Sequence, residues 1–359
     1  MSSLWKHPCR GGVGRGGQLK EDLMARIVLG IGTSHGPMLS TPPEEWGQRV
    51  EADKINPEHP FRGTTYTFDQ LIALRKSENL GEQITPKLWR ERHGQCQQAI
   101  AQLADVFEEA KPDVAVIVGN DQHECFIESN MPAFGVFRGE TISNVPPTPE
   151  QIAQMPPGVH IAHRGHCPPE PVTYPCVSDL GRHLIERLID DEFDVAQLAE
   201  LPHPLPRFSG IPHAYGFVFR QIMRDDPVPS VPIVLNTFYP PNQPTARRCY
   251  KFGRALKQAI ESWDSDTRVA VICSGGLSHF VIDEEFDRKV IGAMQKNDAA
   301  TFGSIPESLY QSGTSETKNW IPVTAAMSDA GLEMRLVDYV PCYRSVAGTG
   351  NAMAFVVWQ

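Results

Sequence analysis

The hydrophobic pattern alternates short apolar runs with longer amphipathic ones. Arg26–Gly32, Asp113–Gly119, Ala133–Arg138, Val231–Thr237 and Arg268–Ser274 are strand-length, and the runs Val114 to Val118 and Val269 to Cys273 are apolar throughout. That is the pattern of strands buried on both faces. Leu332–Val340 and Ala352–Val357 read as closing strands. Between them lie helical patterns. Leu88–Ala110 places Trp89, Ile100, Leu103, Val106 and Phe107 on one side and stops at Lys111-Pro112. Helices are also expected over Val177–Ile189, His213–Met223, Ala246–Trp263, Glu284–Asn297 and from Trp320 to Ala330, where Pro322 fits only a first turn. This alternation predicts a single α/β domain over residues 24–359, with a largely parallel central sheet flanked by helices. Its active site is expected at the C-terminal edge of the strands. The segments 40–87 and 139–172, rich in proline, glycine and charge, read as long functional excursions from the sheet.

Composition narrows the function. The 359 residues carry a formal net charge of −10, which argues against a nucleic-acid partner. No apolar run approaches the ~20 residues needed to span a bilayer. Eight cysteines are scattered without a Cys-x-x-Cys pair, as in a reduced cytoplasmic protein. Residues 1–23, with the run Gly11 to Gly17, read as a disordered leader ahead of Met24.

Three histidines share one kind of address. His35 follows the first strand in Gly30-Ile31-Gly32-Thr33-Ser34-His35-Gly36. His123 follows a buried strand in Gly119-Asn120-Asp121-Gln122-His123, and His279 follows another in Ser274-Gly275-Gly276-Leu277-Ser278-His279. Strand ends of an open α/β sheet lie along one edge, so the three imidazoles are expected to converge. Two imidazoles and a carboxylate on one face make a mononuclear iron site with open positions. Acidic residues are too many for composition to select one. Glu316, between a small-residue loop and a helix, also suits the ordinary role of a helix-start glutamate. The series His160-x-x-His163-x-x-His166-Cys167 sits among Pro156, Pro157, Gly158, Pro168 and Pro169 and reads as an exposed loop.

The ordered motifs Gly-x-x-x-Ser-His, Asn-Asp-x-His and Gly-Gly-x-Ser-His resemble the class III extradiol dioxygenases, the family of the protocatechuate 4,5-dioxygenase catalytic subunit. The segment Asn236-Thr237-Phe238-Tyr239-Pro240-Pro241 and Arg248-Cys249 belong to the same resemblance, which runs from about Ala25 to the C-terminus. It implies that His35, His123 and Glu316 bind Fe(II). It makes His279 the acid–base histidine and His213, in Ile211-Pro212-His213-Ala214-Tyr215-Gly216, a second catalytic histidine. Gln122 stands between Asp121 and His123, where some members have Asp-His directly. The implied reaction inserts both atoms of O2 into a catechol-type ring. The expected substrates, in order, are 3-O-methylgallate, gallate and protocatechuate, and the expected assembly is a homodimer. A zinc-dependent hydrolase using the same ligands, and a non-catalytic partner subunit, remain alternatives at this level.

Overall fold

The computed structural model describes residues 24–155, 159–203 and 210–359, so the expected leader over 1–23 lies outside the described residues. Nine strands form the main sheet: β1 (Arg26–Thr33), β2 (Val114–Asn120), β3 (Phe134–Phe137), β4 (Ala196–Leu198), β5 (Ser230–Leu235), β6 (Arg268–Ser274), β7 (His279–Val281), β8 (Met334–Tyr343) and β9 (Thr349–Trp358). Their order is β7-β9-β1-β6-β2-β5-β3-β4, with β8 on the other side of β9. The six principal helices are α1 (Pro86–Ala110), α2 (Ser178–Asp190), α3 (His213–Phe217), α4 (Ala246–Glu261), α5 (Glu284–Gln295) and α6 (Thr317–Asp329).

The expected α/β domain is present, but its sheet is mixed rather than largely parallel. The central strands β1, β6, β2 and β5 are mutually parallel. On one flank β9 runs antiparallel to β1, β7 and β8, and on the other β3 runs antiparallel to β5. The short connection from β8 to β9 permits only an antiparallel neighbour, because a parallel return needs a crossover. The central strands are buried on both faces. In β2, Val114, Val116 and Val118 join one core layer with α2, α4, α5 and α6, while Ala115 and Ile117 join the other with α1 and α3. This is the two-residue period of a strand read out in three dimensions.

Several boundaries differ from the sequence expectation. The helix expected over His213–Met223 is α-helical only to Phe217 and continues as a wider π turn over Val218–Ile222. Helix α6 begins at Thr317, so Pro322 is its sixth residue and lies inside it. The 40–87 excursion folds into short helices and the hairpin His59–Phe61/Thr64–Tyr66, and the described part of 139–172 pairs Thr141–Asn144 with Val172–Pro175. No helix among the described residues is long and apolar enough to cross a membrane.

Candidate active site

The parallel centre of the sheet delivers two of the histidines to one place. His35 follows β1, and its Nδ1 lies 2.9 Å from Ser274 Oγ at the end of the adjacent β6. His279 opens β7 after the turn that leaves β6, with Nδ1 2.9 Å from the Leu277 carbonyl. The turn needs glycine: a Cβ on Gly276 would stand 2.5 Å from His279 Nδ1, and one on Gly313 would stand 2.4 Å from the His279 carbonyl oxygen.

Glu316 lies between the two rings. It is buried at the start of α6, with Oε2 3.2 Å from His35 Nε2 and Oε1 3.6 Å from His279 Nε2. Three donors fix it: Asn120 Nδ2 at 3.1 Å, Gln122 Nε2 at 2.6 Å and the Gly276 amide at 2.7 Å. Trp320, one turn into α6, is fully buried and donates its indole N–H to the Gly275 carbonyl at 2.9 Å, tying the helix start to the same turn.

His213 completes the group. One donor atom each from His35, His213 and Glu316 lie within 4.8 Å of one another, and the His35 and His213 rings meet edge to face at 4.5 Å. His213 is held by Glu124, which accepts from its backbone amide at 2.9 Å and lies 2.8 Å from its Nδ1. His123 is not in this group. Its ring stacks on Tyr239 with centroids 3.7 Å apart, and its backbone takes a left-handed φ of 60°. The side chain that reaches the site from this loop is Gln122, one residue earlier, and Glu124 reaches it one residue later.

Charge separates the roles of these rings. Burial lowers the pKa of His35 and outweighs the attraction of Glu316, so His35 is neutral. For His279 burial acts in the same direction, but Glu316 and the Leu277 carbonyl outweigh it and the value is raised. Burial would raise Glu316, but His279 and His35 outweigh it and hold it well below the usual carboxylate range. His213 is likewise disfavoured as a cation by burial, yet Glu124 raises it to about 9. One carboxylate thus faces one imidazole whose neutral form is favoured and a second whose protonated form is favoured.

A cavity of about 360 Å³ opens over the group. Its wall also includes Arg49, Arg344 and Asn351, together with His163 and His166. The His160–His166 segment is therefore not an exposed loop. His166 packs 5.9 Å from the His213 ring, and its own pKa is pushed down to about 3 by burial and then by His213. Glu124 and His166 were missed as contributors to the site. The His-x-x-His-x-x-His spacing was the available signal for His166, but the surrounding prolines argued against a regular helix.

Residues 85–356 match the family model for the catalytic LigB subunit of aromatic ring-opening dioxygenase. The chain belongs to this family. The matched LigB segment contains His123, Glu124, His213, His279 and Glu316, while His35 precedes it. Gallate dioxygenase of Pseudomonas putida is 37% identical over 108 residues, and the match spans 29% of this chain and 29% of that protein. An uncharacterized protein of Escherichia coli K12, known from its crystal structure, aligns over 92% of this chain and 99% of its own at 13% identity and a TM-score of 0.42.

Proposed function

We propose that this LigB-family chain is a non-haem Fe(II)-dependent extradiol dioxygenase that inserts both atoms of O2 into a catechol-type ring. 3-O-Methylgallate, gallate and protocatechuate are the substrates expected, in the breakdown of lignin-derived aromatics. The observation that carries the reading is the convergence of His35, His213 and Glu316 within 4.8 Å beneath a cavity, with His279 against the same carboxylate. Two imidazoles and one carboxylate are the donor set of open-sided iron(II) sites. The fit is supported by His35 Nε2, which is buried and, apart from Glu316 Oε2 at 3.2 Å, has no polar partner among the described residues. Such an atom suits a metal lone-pair donor better than an unmet polar group, whose burial costs about 1–3 kcal/mol.

Iron(II), when bound, supplies Lewis-acid activation of the ring hydroxyls and an electron path between ring and oxygen. The remaining chemistry belongs to the chain. His35, Glu316 and His213 would hold the ion, with Glu124 accepting a hydrogen bond from His213 Nδ1–H and so leaving Nε2 as the lone-pair donor. Asn120, Gln122 and the Gly276 amide keep Glu316 from rotating. His279 directs Nδ1–H at the Leu277 carbonyl, so Nε2 faces the cavity and accepts a hydroxyl proton from the ring, then returns it. A cation on Glu316 would weaken its hold on His279 and so favour the neutral, proton-accepting form of that ring. A soluble, cytoplasmic homodimer is the setting we expect for this reaction.

The sequence order of motifs makes His123 the competing third donor, and zinc the competing metal for a hydrolase. Metal quantification beside oxygen uptake with a catechol panel tests the reading. Stoichiometric iron, uptake of one O2 per ring opened, and iron lost in His213→Ala but retained in His123→Ala support it. Zinc without oxygen uptake would remove it, and iron lost only in His123→Ala would move the third ligand to His123.

A further inference from the structure

We propose that Arg49 and Arg344 form an anion-recognition subsite in the wall of the same cavity, which receives a carboxylate carried by the aromatic ring. The inference rests on the ring-cleaving reading of the metal-side residues and names the substituent that the substrate must bear.

The two arginines come from distant parts of the chain. Arg49 ends the short helix Pro43–Arg49 in the 40–87 excursion, and Arg344 follows β8. Both line the cavity with His35, His213, His279 and Glu316. Arg344 is oriented by Asp53: Nε lies 2.7 Å from one carboxylate oxygen and Nη2 2.8 Å from the other. Its remaining nitrogen, Nη1, lies 3.4 Å from Asn351 Oδ1. Asn351 also lines the cavity and is the cross-strand partner of His279 between β9 and β7. Arg344 is therefore linked through one side chain to the strand position paired with His279.

Asp53 hydrogen-bonds Arg344 and not Arg49. Both its oxygens are taken by Arg344, and Oδ2 also accepts from Thr349 Oγ1 at 2.6 Å. Arg49 has neither a hydrogen bond nor an ion pair among the described residues. Burial and the neighbouring Arg344 charge push its pKa down to about 10 against the attraction of Asp53. The other carboxylates of the wall, Glu124 and Glu316, are engaged by histidines. Two guanidiniums and one carboxylate leave this end of the cavity with a surplus positive charge. Arg49 is half-buried, and a partly desolvated charge without a partner among the described residues carries a cost that an incoming carboxylate reduces. A guanidinium offers the planar paired donors that a carboxylate accepts. The cavity volume is within the range of small-molecule sites. A single ring can thus present its hydroxyls to the metal side and its acid group to the arginines.

The test uses the iron-loaded full chain under anaerobic conditions, with protocatechuate and its uncharged methyl ester as calorimetric ligands. The acid should bind more tightly than the ester. In Arg49→Gln the acid-to-ester ratio of affinities should collapse by about 10- to 100-fold, the scale of one charged hydrogen-bonded contact. Arg49→Lys, which keeps the charge, should retain most of the preference. Equal affinity for acid and ester in the parent, or an unchanged ratio in Arg49→Gln, overturns the subsite. Oxygen uptake run in parallel separates the two layers. Selective acid binding without uptake of oxygen by either compound removes the ring-cleaving reading and leaves the anion subsite standing.

Discussion

Replacing Glu124 by glutamine tests the proposed metal centre through a residue that would not touch the ion. In the parent, one carboxylate oxygen accepts the His213 amide at 2.9 Å and the other faces Nδ1 at 2.8 Å. Glutamine has a single acceptor. If that oxygen stays on the backbone N–H, its amide nitrogen faces Nδ1, which must then accept a proton and leave Nε2–H toward the site. That tautomer cannot donate a lone pair to a metal from Nε2. Recovering the useful tautomer means giving up one buried hydrogen bond, about 1–3 kcal/mol. At 1.4 kcal/mol per decade this becomes a loss of about 10- to 100-fold in iron affinity. It matches the usual effect of removing the partner of a metal-bound histidine.

The same change has a pH signature. Glu124 raises His213 to about 9, so the metal-free parent carries a proton there throughout neutral pH. Iron must displace that proton, and its affinity should tighten by up to tenfold per pH unit until about 9. Without the carboxylate, that steep region should end at lower pH. Anaerobic competition between the protein and a calibrated ferrous chelator from pH 6 to 9 reads both quantities. Parent-like affinity together with a parent-like pH slope in Glu124→Gln would refute the assignment of His213 as a ligand.

His279→Phe should retain stoichiometric iron but lose about 10²–10⁴-fold in turnover, with the residual rate rising with pH as solvent base substitutes for the ring. Iron analysis beside oxygen uptake checks this, and an iron-free variant would make His279 a ligand. Gly253→Ala should destabilise the protein by about 1–3 kcal/mol in urea unfolding. The new Cβ would stand 2.0 Å from the Pro322 carbonyl oxygen, a backbone atom of α6 that cannot swing aside. Native stability in this variant would show that α4 and α6 pack less closely. His166 is depressed to about 3 from an ordinary 6.5, so the folded chain binds fewer protons than the unfolded one between those values. Its contribution is fully present above about 6.5 and is lost as the pH falls toward about 3. At pH 5 the parent should therefore have lost about 1–2 kcal/mol more, relative to pH 7.5, than His166→Gln, and equal losses would contradict the buried neutral ring.

Local regularities decided much of this fold. Valine- and isoleucine-rich runs such as Val114–Val118 can be satisfied only between two apolar layers, and they occupy the centre of the sheet. Lys111-Pro112 ends α1 at Ala110, and the glycine turns after β1 and β6 bring His35 and His279 to one edge. Strand direction was not legible, because a two-residue period is the same whichever way the neighbour runs. The antiparallel pairings of β9 with β1, β7 and β8, and of β3 with β5, make the sheet mixed. Orientation within a loop was equally hidden. Asn120-Asp121-Gln122-His123-Glu124 carries amide, imidazole and carboxylate in succession, and the backbone turn sends Gln122 and Glu124 into the site while His123 stacks on Tyr239. The environment of each charge was decided last, by tertiary packing. Glu124 meets His213, and Arg344 takes both oxygens of Asp53 while Arg49 has no hydrogen-bond or ion-pair partner among the described residues. These contacts join residues far apart in the chain, where periodicity and spacing carry no information.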